Sequence, residues 1–246
     1  MFPIQDSVPS RSVPIVTRTL ILINVVVFFF ELGLPREAVE QMFYLFGLVP
    51  ARFTHPAWAA SVGFPIDSYW PILTHQFLHG GWLHIIANMW TLWIFGDNVE
   101  DRMGPMRFAI FYLACGSVAG LLHWLTNADS TVPSIGASGA IAGVLGAYLL
   151  FFPTARLVVM FPIFFFPVFF ELPAVFYLGV WFVTQLFSGT QALAGSGQVG
   201  GIAWWAHIGG FVSGMLLCGL FVRRPARRPL QPDEYGEEWA WEPRVR

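Results

Sequence analysis

The sequence predicts an all-α polytopic membrane protein with six transmembrane helices. Of its 246 residues, 56% are hydrophobic and 11% charged, where soluble domains carry about 25% charged residues. Mean hydropathy is +0.61. Apolar runs of roughly 20 residues, the length that crosses a hydrocarbon slab, recur along the chain.

Residues 1–16 are polar and proline-rich and form an N-terminal segment. The first span covers Thr17–Leu34. No small-residue cleavage site follows it, so it reads as a retained helix rather than a signal peptide. The loop Pro35–Thr74 is half apolar, with Trp58, Tyr69 and Trp70, and suits the membrane interface. A second span is expected over Gly81–Gly96, ended by a charged turn, Asp97-Asn98-Val99-Glu100-Asp101-Arg102. The third is Met106–Thr126 and the fourth Ser138–Phe152. The stretch Leu157–Phe170 is apolar but interrupted by Pro162 and Pro167, which a straight helix does not tolerate, so it reads as an interfacial or bent connection. The fifth span is Glu171–Phe187, with Gly189–Gly201 an uncharged flexible loop after it. The sixth is Ile202–Val222. The tail, residues 223–246, holds arginines, then acidic residues with Trp239 and Trp241, and its composition predicts disorder. The membrane domain is thus residues 17–222, and no internal repeat is visible.

The distribution of arginine, the basic residue used throughout, orients the chain. Placing both termini in the cytoplasm leaves only Arg36 and Arg52 outside, so the expectation is N-in, C-in. A net charge of −2 gives no basic patch for nucleic acid, and none is expected as a partner. Cys115 and Cys218 lie in apolar runs without CxxC spacing and read as small core residues.

Polar side chains within such spans are costly and mark function. In Gly136-Ala137-Ser138-Gly139 a serine opens the fourth span between glycines that leave its hydroxyl unshielded. The free N–H groups of a helix start point at whatever that hydroxyl attacks and can hold an oxyanion. The run from Gly139 to Ala147 equally suits close helix packing. His207, in Ala206-His207-Ile208-Gly209-Gly210, is a candidate base, or else an interfacial histidine bonded to a loop carbonyl. Gly210 and Gly214 make its helix thin enough to lie against the fourth span. His84 and Asn88 share a helical face and can donate to an oxyanion or simply tie helices together. On the expected topology Ser138, His207, His84 and Asn88 all lie within roughly 10 Å of the outer ends of their helices, at ~1.5 Å per residue. His75, His79 and His84 raise zinc as an alternative. No carboxylate or HExxH accompanies them, so no metal is expected. The loop aspartates give no intramembrane carboxylate pair, and Ala140 stands where a GxSxG elbow has its last glycine. Glu100 and Arg102 read as a solvated loop or an internal clamp.

With these residues in view the chain resembles the rhomboid family of intramembrane serine proteases. The resemblance rests on His84-x-x-x-Asn88, Glu100-x-Arg102, Gly136-x-Ser138-Gly139 and Ala206-His207-x-x-Gly210-x-x-x-Gly214, in that order, and covers residues 17–222. It implies Ser138 as nucleophile and His207 as general base, with no aspartate. It also implies an oxyanion site of His84, Asn88 and the backbone of Gly136, Ala137 and Ser138. The implied substrates are transmembrane helices of other proteins, cut near the outer surface, with no cofactor and no metal. The lipid bilayer of a bacterial inner membrane is the expected setting. The other reading is a non-catalytic rhomboid-like protein that binds transmembrane helices. Two positions depart from the family pattern. Ala142 stands where some bacterial members carry a tyrosine that stacks on the histidine, leaving Trp204 or Trp205 to hold it, and Trp70-Pro71 replaces a Trp-Arg pair of the first loop.

Overall fold

A computed structural model describes residues 2–65, 68–164, 166–194 and 203–223. Its centre is a short apolar helix. This is α8 (Ser138–Phe151), whose residues from Gly139 to Tyr148 are all buried. Small residues let its neighbours come close. A Cβ on Gly210 would collide with the Gly139 carbonyl, one on Gly214 with the Gly143 carbonyl, and one on Gly146 with the Phe211 carbonyl. These contacts press α8 against α10 (Trp204–Phe221) along its length, backbone to backbone. Beside α10, α8 also rests on α7 (Pro105–Thr126), where a Cβ on Gly139 would stand 2.7 Å from the Ala119 Cβ.

Around this core lie α1 (Ile15–Leu32), α6 (Trp82–Met103) and α9 (Ala174–Ala194). Among the described residues α1, α7 and α10 are long and apolar enough to cross a membrane. Large apolar side chains cover the outside, among them Leu22, Phe29, Ile86, Trp93, Ile110 and Leu216, as a lipid-facing surface requires.

The structure corrects three expectations. First, the charged stretch at 97–102 is not a turn. It continues α6 to Met103, and Gly104, with φ of 80°, makes the turn into α7. Glu100 is buried there, and its carboxylate accepts from the N–H groups of Val16 and Thr17 at 2.9 and 2.8 Å and from the Thr17 hydroxyl at 2.8 Å. It therefore caps α1, supplying an acceptor that Pro14 at the N-cap cannot offer. Arg102 makes no pair with it; its guanidinium stands 5.4 Å from the centre of the Phe151 ring.

Second, the stretch at 157–170 is a β-hairpin, not a bent connection. Strands β2 (Arg156–Ile163) and β3 (Phe166–Pro173) pair antiparallel, and β1 (Phe2–Asp6) adds to β2, giving the order β1-β2-β3. Pro162 and Pro167 face each other, so neither position requires an N–H toward the other. Asp6 ties this sheet to the bundle, accepting from Asn98 Nδ2 at 2.8 Å and from the Tyr148 hydroxyl at 2.6 Å. Burial pushes the Asp6 carboxyl above its usual range. Third, α9 runs to Ala194, past the expected end of the fifth span, and residues 195–202 and the tail from 224 lie outside the described residues.

The long loop after α1 folds into short helices: α2 (Arg36–Phe46), α3 (Pro50–Thr54), α4 (Pro56–Ser61) and α5 (Pro71–Thr74). Arg52 pins it. The buried guanidinium donates to the carbonyls of Leu45 at 3.2 Å and Pro65 at 3.0 Å and lies over the rings of Phe53 and Phe64. Burial lowers its pKa. With Trp70-Pro71 in the chain, this inward arginine holds the loop instead.

Candidate active site

Ser138 is the first residue of α8, and the approach to it is strapped on both sides. Leu48 and Ser134 exchange backbone hydrogen bonds of 2.9 and 2.8 Å, and the Gly136 N–H donates to the His75 carbonyl at 2.9 Å. Gly136 then takes φ of 123°, a left-handed value that turns the chain into the helix. The first amides of α8 have no intrahelical acceptor, and the Ser138 hydroxyl at that end of the helix is half-buried.

His207 lies in the first turn of α10, also half-buried. Its Nε2 stands 2.8 Å from Ser138 Oγ, across 69 residues of sequence. The close glycine contacts between α8 and α10 bring the two together. Its Nδ1 stands 2.8 Å from Gln185 Oε1 on α9. The imidazole is flanked by Trp181, one turn earlier on α9, with ring centres 6.0 Å apart at 35°, and by Trp204 edge-on at 6.2 Å and 89°.

His84 and Asn88, both on α6, come to the same place. The Gly136 Cβ position lies 2.6 Å from His84 Nε2 and 3.7 Å from Asn88 Nδ2, so His84 packs on the glycine itself. Ala137 is fully buried behind the serine. All the expected site residues, Ser138, His207, His84, Asn88, Gly136 and Ala137, therefore converge. His79 supports them: its Nε2 is 3.0 Å from Asn88 Nδ2, its ring centre is 5.1 Å from that of His84, and its N–H donates to buried Glu31 of α1 at 3.3 Å. His75 turns away and its Nδ1 meets the Pro71 carbonyl at 2.8 Å. Among the described residues no group of three His, Cys, Asp or Glu side chains is placed to hold a metal ion.

Of the two tryptophans expected to hold the histidine, Trp204 contacts it. Trp181 and Gln185 escaped the sequence reading, although a tryptophan and a glutamine four apart in an apolar span were a visible signal: they share one helical face. Ala142 is buried and faces α10, where the Gly210 Cβ position lies 3.2 Å from its Cβ.

Fold and site together define an integral membrane protein with a serine and a histidine hydrogen-bonded inside its helical bundle. A family model described as Rhomboid domain matches residues 67–224. The chain belongs to the rhomboid family. It is 40% identical over 80 residues to RHOMBOID-like protein 5 of Arabidopsis thaliana, covering 32% of this chain and 26% of that one. RHOMBOID-like protein 4 of the same plant is 32% identical over 159 residues, 65% of this chain and 36% of the relative. The human Presenilin-associated rhomboid-like protein, mitochondrial, is 33% identical over 93 residues, 37% of this chain and 24% of the relative. The matched stretches thus span about a quarter to a third of these relatives' own lengths.

Proposed function

We propose that the protein is an intramembrane serine endopeptidase that hydrolyses peptide bonds in or near transmembrane helices of other membrane proteins. The observation that carries this is the 2.8 Å contact between His207 Nε2 and Ser138 Oγ at the open start of α8. His207 takes the Ser138 proton as the hydroxyl attacks the scissile carbonyl. The negative charge forming on that oxygen falls among His84, Asn88 and the backbone N–H groups of Ala137 and Ser138, the Gly136 N–H being taken by the His75 carbonyl. His207 then protonates the leaving amine, and a water, deprotonated by His207 in turn, releases the acyl group from Ser138.

The membrane setting shapes this chemistry. In this reading α1, α6, α7, α8, α9 and α10 are six spans with both termini inside. The 14 residues of α8 reach about 21 Å at 1.5 Å per residue, short of a hydrocarbon core of about 30 Å. Ser138 accordingly lies below the outer surface, in a cavity that must admit water. A helical substrate must unwind there to expose its bond, so glycine or proline near the cleavage site assists, and α9 is the helix that yields to admit it. Residues 17–222 are the working domain, and the chemistry calls for no cofactor. The membrane is read as a bacterial inner membrane; fractionation of the native cell decides between it and an organelle.

Cleavage of a transmembrane substrate by purified protein in lipid tests the proposal. Ser138→Ala and His207→Ala each abolish product while the protein remains folded. Wild-type cleavage by Ser138→Ala refutes the assignment.

A further inference from the structure

A base that must take a proton at Nε2 has to be the tautomer whose hydrogen sits on Nδ1. Among the described residues no carboxylate bonds His207, and another acceptor selects that tautomer. Gln185 Oε1 lies 2.8 Å from His207 Nδ1 and is its hydrogen-bond partner. An amide can present either end, so its orientation decides everything. Here the choice is made on α9. Gln185 Nε2 is 3.3 Å from the Trp181 carbonyl and 3.2 Å from Thr184 Oγ1. The Thr184 hydroxyl already donates to that same carbonyl at 2.6 Å, so its oxygen is left to accept. Two acceptors therefore face the Gln185 amino group. The flipped amide would set its carbonyl against both of them and aim an N–H at Nδ1. That arrangement forces the hydrogen onto Nε2, where it points at Ser138 and removes the base.

From this geometry we infer that Gln185 is a positioning residue that locks His207 in the Nδ1–H tautomer, and that Thr184 and the Trp181 carbonyl lock Gln185 in turn. The inference rests on the serine–histidine reading above. Gln185 is buried, and its hydrogen bond into the site is to His207 and not to Ser138, so it acts through His207. Trp181 adds the ring contact from the same turn of α9, and the dyad is thereby assembled from three helices, α8, α9 and α10. An aspartate is unnecessary, because a neutral carbonyl suffices to choose a tautomer even though it stabilises the imidazolium less than a carboxylate does.

The test uses full-length protein in proteoliposomes with a transmembrane substrate, and histidine-15N spectra assigned with His207→Asn. Gln185→Leu lowers kcat at least about tenfold with KM within about twofold, since the buried side chain bonds the base. Its His207 signal changes from one tautomer to a mixture. Gln185→Glu keeps the acceptor, recovers rate relative to the leucine variant, and moves the acid limb of the kcat/KM profile to higher pH by about one unit, because a carboxylate favours the imidazolium. A residue that merely packs would leave both the tautomer and that limb in place. The inference is overturned if Gln185→Leu keeps the wild-type tautomer, or if its kcat and pH profile stay within about twofold of wild type. Should the wild type cleave no more than Ser138→Ala, the dyad reading fails, while the 15N spectra still decide the role of Gln185.

Discussion

Gly136→Ala is the substitution whose effect the structure sizes best. The added Cβ would lie 2.6 Å from His84 Nε2 and 2.7 Å from its Cε1. Ordinary contact needs about 3.4 Å, so the imidazole must retreat by about 0.8 Å, out of its place beside the serine. The backbone resists as well: φ of 123° suits glycine and strains alanine by about 1–3 kcal/mol. If His84 helps hold the oxyanion, displacing it lowers kcat by about 100-fold, near the loss of one such donor. The assay is single-turnover cleavage at saturating substrate, with thermal unfolding measured on the same preparations. Two controls sharpen it. Gly179→Ala, in α9 with nothing within 4 Å of its Cβ position, leaves cleavage unchanged and gains up to about 1 kcal/mol of stability. In a His84→Ala background, Gly136→Ala costs only the backbone strain, so the two changes are strongly non-additive. Full activity in a folded Gly136→Ala protein would refute this placement of His84.

Other regions give independent expectations. Glu100→Ala leaves the first N–H groups of α1 without their acceptor and lowers unfolding stability by about 2–4 kcal/mol, read by denaturation in mixed micelles. Arg52→Ala frees two carbonyls of the loop after α1 and costs about 1–3 kcal/mol, with hydrogen exchange rising in residues 36–64 before the rest of the bundle. Ala142→Tyr overpacks a site 1% exposed and destabilises the fold instead of improving catalysis. Burial raises the folded-state pKa of Asp6, so the stability this group contributes is complete below its unfolded pKa and is lost as pH rises through the folded one. Amide protection in β1 therefore falls with rising pH more in wild type than in Asp6→Asn, after correction for intrinsic exchange.

The sequence made the centre of the site legible because its residue types are costly in lipid. A serine between glycines and a histidine ahead of Gly210 and Gly214 stand out there even beside a packing reading, and all the site residues it named meet in space. The periphery was harder for physical reasons. Leu157–Phe170 is apolar without alternation, since beyond the end of β1 both faces of the β2–β3 ribbon are exposed, and no period of two survives to mark strands. The helix at 97–102 was hidden by its charges, two of which face protein partners: Glu100 the start of α1, and Asp101 the backbone N–H groups of Arg11 and Ser12. Gln185 was visible as a polar residue four from Trp181 in an apolar span, but its role was not. Its role depends on which helix lies beside His207, and a pairing of α9 with α10 across residues 194–204 leaves no local pattern.

The central claim is that Ser138 is a nucleophile activated by His207, and labelling with a serine-reactive phosphonate tests it most directly. Intact-mass measurement of the reacted wild-type protein should show a single adduct, mapped to Ser138, that is missing from both Ser138→Ala and His207→Ala. A folded wild-type protein that stays unmodified, or an adduct that persists in Ser138→Ala, would contradict it.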